Sequence, residues 1–108
     1  MKFDIRCTHL PMDRGALGHI RRRFEHCLDH FAHCVLQVHV LLSDVNGPKG
    51  GADKRCLVQL QLRGAPEIVI EEQGVELFGV IGRAADRLSA TVGRAVALQK
   101  HQHQFRLA

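Results

Sequence analysis

Four side chains in the first third of this chain have the types and spacing of a metal site: His26, His30, His33 and Cys34. Two imidazoles at i and i+4 on one helix can reach the same zinc ion, with Cys34 as a third donor. The set is incomplete, because no Glu forms an H-E-x-x-H pair and no C-x-x-C supplies a fourth ligand. The expectation is therefore no metal and no other cofactor. Cys7, Cys27, Cys34 and Cys56 stand apart, without the paired spacing of a zinc ribbon or a thiol oxidoreductase. Cys7 and Cys56 occupy apolar strand positions and are expected as small buried hydrophobes rather than disulfides.

A second constellation is the glycine-rich basic segment "SDVNGPKGGADKRC", Ser43 to Cys56. A phosphate-binding loop of the G-x-x-x-x-G-K-[ST] kind needs a hydroxyl for magnesium and a following helix whose N-terminus faces the phosphate. This segment has neither, and no G-x-S-x-G nucleophile elbow occurs elsewhere. No catalysis and no small-molecule substrate are expected. The Asn-Gly pair is a turn former, so the segment connects two strands, either as a connection only or as a loop that also offers Lys49, Lys54 and Arg55 to a polyanion.

The third constellation is cationic. Fifteen Lys/Arg oppose eleven Asp/Glu, and eight histidines add charge as the pH falls below about 6.5. The charge is segregated. From Ala65 to Gly82 there are four carboxylates and no Lys or Arg, whereas from Arg83 to the end there are five basic residues and only Asp86. Projected at about 100° per residue, Arg83, Arg87 and Arg94 fall within roughly 40° of one another, away from an apolar stripe of Leu77, Phe78, Ile81, Ala85, Leu88, Val92 and Val96. The stretch "GHIRRRFEHCLDH" similarly sets His19, Arg22, Arg23, His26 and His30 opposite an apolar stripe, with Arg21 to one side. Guanidinium forks fit phosphate oxygens, so two such helices side by side could hold RNA by its backbone without reading bases.

These residues need elements to hold them. "KFDIRC" alternates Phe3, Ile5 and Cys7 against Lys2, Asp4 and Arg6, the period of a half-buried strand. Asp13 can cap a helix from Arg14 to about Phe31 carrying Leu17, Ile20, Phe24, Leu28 and Phe31 inward. "CVLQVHVLLS" is a central strand, and "RCLVQLQLR" alternates Cys56, Val58, Leu60 and Leu62 against Leu57, Gln59 and Gln61. The turn "GAP", Gly64 to Pro66, leads into the strand "EIVIEE", and a second helix runs from about Val75 to Lys100. The order β-α-β-β-β-α predicts an α+β fold, a four-stranded mixed sheet with both helices packed on one face. One domain over residues 1–100 with a short tail, 101–108, is expected, with no signal peptide or membrane span and hence a cytoplasmic location.

The order of elements, the "VNGPKGGADKRC" loop and the string "VELFGVIGRAADRL" resemble the ribosome hibernation-promoting factor and ribosome-associated inhibitor family over about residues 1–100. In that family the last helix carries an acidic residue, an apolar one, an aromatic, two small residues and Ile-Asp, then spaced Ala, Asp, Lys/Arg and Leu. The matching positions are Glu76, Leu77, Phe78, Gly79, Val80, Ile81, Gly82, Ala84, Asp86, Arg87 and Leu88. Phe78 replaces the usual Tyr and Gly82 the usual Asp, so hydrogen bonds made by those two side chains have no counterpart. The resemblance implies a non-enzymatic ligand of the small ribosomal subunit, lying in the mRNA and tRNA channel with its helices toward ribosomal RNA and silencing translation in stationary phase or stress. Arg21, Arg22, Arg23, Arg83, Arg87 and Arg94 would then meet phosphates, with Lys54, Arg55 and Lys49 beside the loop. A monomer off the ribosome is expected, since the chain ends soon after the second helix. A double-stranded-RNA-binding module and a His/Cys metal-binding protein are the alternatives.

Overall fold

The computed structural model describes residues 1–45 and 53–107. Strand β1 (Lys2–Thr8) leads to helix α1 (Arg14–Cys27), strands β2 (Val35–Asp44), β3 (Lys54–Leu62) and β4 (Ile68–Gly74) follow, and helix α2 (Leu77–Leu107) closes the order. The strands lie side by side as β1-β2-β3-β4. The β1–β2 pair is parallel, because a helix carries the chain back between them, while β2–β3 and β3–β4 are antiparallel. This is the α+β mixed sheet that the sequence predicts.

Alternation in the strands gives the sheet two unlike faces. Val38, Val40 and Leu42 of β2, Cys56, Val58, Leu60 and Leu62 of β3, and Ile68 and Ile70 of β4 are buried beneath the helices. Helix α1 contributes Ile20 and Phe24, and α2 contributes Val80, Ile81, Ala84, Ala85, Leu88 and Val92 to the same core. Each fully buried large side chain is worth roughly 1.5–3 kcal/mol by removal from water. Among the described residues no helix covers the other face, which carries Arg6, His39, Leu41, Leu57, Gln59 and Val69. Gly64 turns β3 into β4 at φ +72°, a left-handed conformation that side chains rarely adopt.

Helix α1 begins as expected, with the Asp13 carboxylate accepting from the Ala16 amide at 2.7 Å. It ends earlier than the apolar stripe predicts. The Leu28 amide is shared between the Phe24 and Glu25 carbonyls, both at 3.2 Å, and the chain tightens into a 3-10 turn over Asp29–Phe31. Phe31 still packs against the core, but His30 no longer follows His26 at α-helical pitch. Helix α2 starts two residues later than Val75 and continues through most of the segment expected as a tail.

The two helices run in the same direction. Along their seam His19 meets Phe78, Arg23 meets Asp86, and Phe31 lies against Gly93, where an added Cβ would sit 3.6 Å from its ring. Beyond the core, the Gln99 amide donates to the Arg63 carbonyl at 2.8 Å and ties α2 to the β3–β4 turn.

Candidate nucleic-acid interface

The outer surface of the helix layer presents the cationic residues of both helices. Arg21, Arg22, His19 and His26 of α1 are exposed, as are Arg83, Arg87 and Arg94 of α2. Helical geometry places their backbones as the sequence predicts. Their side chains are distributed by the acids within reach.

The acid that matters most is Glu72. In β4 it follows Ile68 and Ile70 on the row facing the helices, and its side chain is only 19% exposed. Arg87 places Nη1 2.6 Å from one Glu72 oxygen and donates to the Glu71 carbonyl at 2.9 Å. Arg83 lies 3.4 Å from the other oxygen and donates to the Gln73 carbonyl at 3.3 Å. Both arginines therefore lean down the side of α2 onto the end of β4 rather than pointing straight outward. Gly74 makes room for this, since an added Cβ would stand 2.6 Å from Arg83 Nη2 and 2.9 Å from Val80 Cγ2. Among the described residues Arg94 meets only the Thr91 hydroxyl, at 3.2 Å.

On α1, Arg23 is bound to Asp86 across the helix seam at 2.9 Å. Arg21 lies on the outer flank, 3.7 Å from Glu25 and with its guanidinium 5.4 Å from the Phe3 ring centroid. Arg22 makes no ion pair or hydrogen bond with any described residue, and leans over Gly18. Of the six predicted arginines, Arg22 and Arg94 thus have no carboxylate to give up among the described residues.

The remaining predicted contacts lie elsewhere. Lys54 Nζ is held between Asp44 at 3.0 Å and Asp53 at 3.1 Å, and these bonds, Asp44 first, raise its pKa. Arg55 forks onto Glu71 with two bonds of 3.0 and 2.9 Å, which raise its pKa likewise. It alternates with the buried Cys56 and so belongs to the uncovered sheet face, away from the helices. Lys49 lies outside the described residues. The structure therefore brings Arg21, Arg22, Arg23, Arg83, Arg87 and Arg94 to one layer and sets Arg55 on the opposite sheet face, while Lys54, on the row of Cys56 and opposite Gly74, stands at the sheet end on the helix side.

Two features of the site escaped sequence reasoning. One is Glu72, although the alternation Ile68, Ile70, Glu72 places it on the inward row. The other is Phe78, which the helical stripe assigns to the core and which is 47% exposed. It is held instead against the His19 ring, centroids 5.7 Å apart and planes at 67°.

Among the described residues no group of three or more His, Cys, Asp or Glu side chains surrounds a common point. Cys34 donates its thiol to the Phe31 carbonyl at 3.3 Å. Burial pushes the Cys27 thiol up to about 11 and the Cys56 thiol up to about 12, with Asp86 and Glu72 adding to the respective shifts and Arg23 opposing that of Cys27. Neither offers a thiolate near neutral pH. Among the described residues no helix is long and apolar enough to cross a membrane.

No family model and no curated protein matches this sequence. Solved structures do. The N-terminal domain of Thermus thermophilus Protein Y aligns with a TM-score of 0.72 and 24% identity, over 87% of this chain and 98% of that one. A ribosomal subunit interface protein from Coxiella burnetii aligns with a TM-score of 0.68 and 12% identity, over 90% of this chain and 99% of that one. This chain has their fold. The fold implied by the resemblance to hibernation-promoting factors is thus the one found, and both alignments span nearly the whole of the solved chains.

Proposed function

We propose that this chain is a non-enzymatic ribosome ligand. It binds ribosomal RNA of the small subunit in the channel used by mRNA and tRNA, and so silences translation in stationary phase or stress. The observation that carries this reading is the outer helix layer, where six arginines from two parallel helices share one surface in a fold also found in a protein named for the ribosomal subunit interface. Occupancy is the mechanism, and no bond is made or broken. Residues 1–100 form the ribosome-binding unit, acting in the cytoplasm as a monomer until bound. Arg22 and Arg94 engage phosphates directly, while Arg83, Arg87 and Arg23 do so by exchanging a carboxylate for a phosphate. Arg21 flanks the surface, and Lys49, Lys54 and Arg55 serve a second, peripheral contact.

The test is a sucrose gradient of stationary-phase lysate with the protein located by immunoblot, joined to binding by isolated small subunits. The protein should travel with subunits or ribosomes, and R22Q/R94Q should bind more weakly with a shallower salt dependence, since fewer counterions are displaced. Its thermal stability should change by no more than about 0.5 kcal/mol. Protein that stays at the top of the gradient, or that prefers free RNA duplexes to assembled subunits, would overturn the reading in favour of a duplex-binding module.

A further inference from the structure

The exposed ring of Phe78 is not explained by packing. Among the described residues Phe24 is buried, Phe3 and Phe31 are half-buried against the core, and Phe78 is the single exposed phenyl ring, in a chain with no Tyr or Trp. It stands in the first turn of α2, on the flank that faces α1 rather than on the flank of Arg83 and Arg87, and its one ring partner among the described residues is His19 of α1.

Three properties of its surroundings define what the ring can receive. The next residue along the same face is Gly82, one turn on, where an added Cβ would meet nothing within 4 Å. The ring therefore borders a shelf of bare backbone rather than a neighbouring side chain. Second, the N-terminal amides of α2 are already occupied: the Glu76 carboxylate accepts from the Phe78 amide at 3.1 Å and from the Gly79 amide. A phosphate is repelled from the helix end it would otherwise favour. Third, the unpaired guanidinium of Arg22 lies one turn beyond His19 on α1, leaning back over Gly18. The position beside the ring is thus apolar, flat and closed to anions, while a cation waits a turn away.

We propose that Phe78 is a stacking platform for one unpaired nucleobase of RNA, with His19 holding the ring edge-on and Arg22 meeting the sugar-phosphate backbone next to that base. Aromatic stacking tolerates any base and adds affinity without any ionic contact. The inference rests on the reading that the helix layer faces RNA, and deepens it from backbone neutralisation to a base contact.

Because the chain has no tryptophan, Phe78→Trp creates a single indole at the platform. The full-length variant is titrated with single-stranded oligoadenylate, with an abasic oligomer of the same length, and with isolated small subunits, and binding is followed separately by the anisotropy of end-labelled RNA. Oligoadenylate and subunits should quench the indole, while the abasic strand should bind without quenching. Phe78→Ala should lower affinity for subunits by about fivefold to a hundredfold with an unchanged salt slope, since no phosphate contact is lost. Circular dichroism should show Phe78→Ala folded, the ring being half in solvent.

Unquenched indole at saturating RNA would overturn the proposal. So would weaker subunit binding by Phe78→Ala without quenching by any RNA, which would assign the ring to a ribosomal protein. Failure of the parent protein to bind RNA or subunits at all would instead refute the ribosome reading, and this platform with it.

Discussion

Glu72→Gln is the most informative single substitution, because it changes binding and stability in opposite directions. Glu72 holds Arg87 at 2.6 Å and Arg83 at 3.4 Å, with both arginine side chains 54% exposed. Exposed pairs of this kind contribute roughly 0.2–1 kcal/mol each, and the amide keeps part of the hydrogen bonding, so the loss of stability should be about 1 kcal/mol. For a domain of this size that is a fall in Tm of about 4–8 °C. The gain in binding follows from distance. A phosphate on the far side of either guanidinium would lie about 6 Å from the Glu72 carboxylate, where like charges repel by about 0.7 kcal/mol in a water-like dielectric. Relief at two phosphates is about tenfold in affinity at low salt. The released arginines should also steepen the salt dependence, by about 0.7 in the log–log slope for each added contact to single-stranded RNA. Scanning calorimetry and subunit binding between 50 and 200 mM salt, taken as roughly the useful range, measure both effects. A variant that loses stability but binds no tighter, with an unchanged slope, would show that Arg83 and Arg87 are structural pairs and do not face RNA.

Gly82→Ala should raise stability by about 0.5–1 kcal/mol, since the added methyl meets nothing and removes glycine's entropic cost in a helix. Gly74→Ala should lower it, because the methyl would stand 2.9 Å from Val80 and displace Arg83, and thermal melts of the two variants distinguish them. With Cys27 at about 11 and Cys56 at about 12 in the folded chain against 9.0 for a free thiol, the unfolded state ionises first. Stability from these thiols should be complete below about pH 9 and lost as the pH rises from there through 12, so melts at pH 8, 9.5 and 11, roughly spanning that range, should show a steady decline that Cys56→Ala flattens.

How far the sequence revealed this protein depends on the scale of the interaction concerned. The sheet was legible because Cys56, Val58, Leu60 and Leu62 alternate against Leu57, Gln59 and Gln61, and burial of one row is a property of the pattern itself. The positions of Arg83, Arg87 and Arg94 on α2 were legible for the same reason. What their guanidiniums touch was not, because a long flexible side chain goes to whichever carboxylate lies within its reach, and that required knowing that β4 ends beside α2. Phe78 fell on the apolar stripe, but a helical wheel carries no information about where along the axis the core stops. The break at Leu28 likewise depends on competition between two carbonyls for one amide, which periodicity does not record.

The net charge of +4 is a poor guide to the charge this surface can offer a polyanion. Lys54 sits between two carboxylates and Arg55 on one, the latter on the uncovered sheet face, and their cations are largely cancelled at short range. Arg83, Arg87 and Arg23 are each committed to Glu72 or Asp86, so a phosphate gains from them only the difference between two ionic contacts. Of the six arginines of the two helices, that leaves Arg22 and Arg94 with no carboxylate among the described residues, with Arg21 giving up a weaker contact to Glu25 at 3.7 Å. A surface built this way holds an anion less tightly than its arginine count implies. It also responds to any change in its acids as strongly as to a change in its bases, which is why a carboxylate rather than an arginine is the first residue to alter.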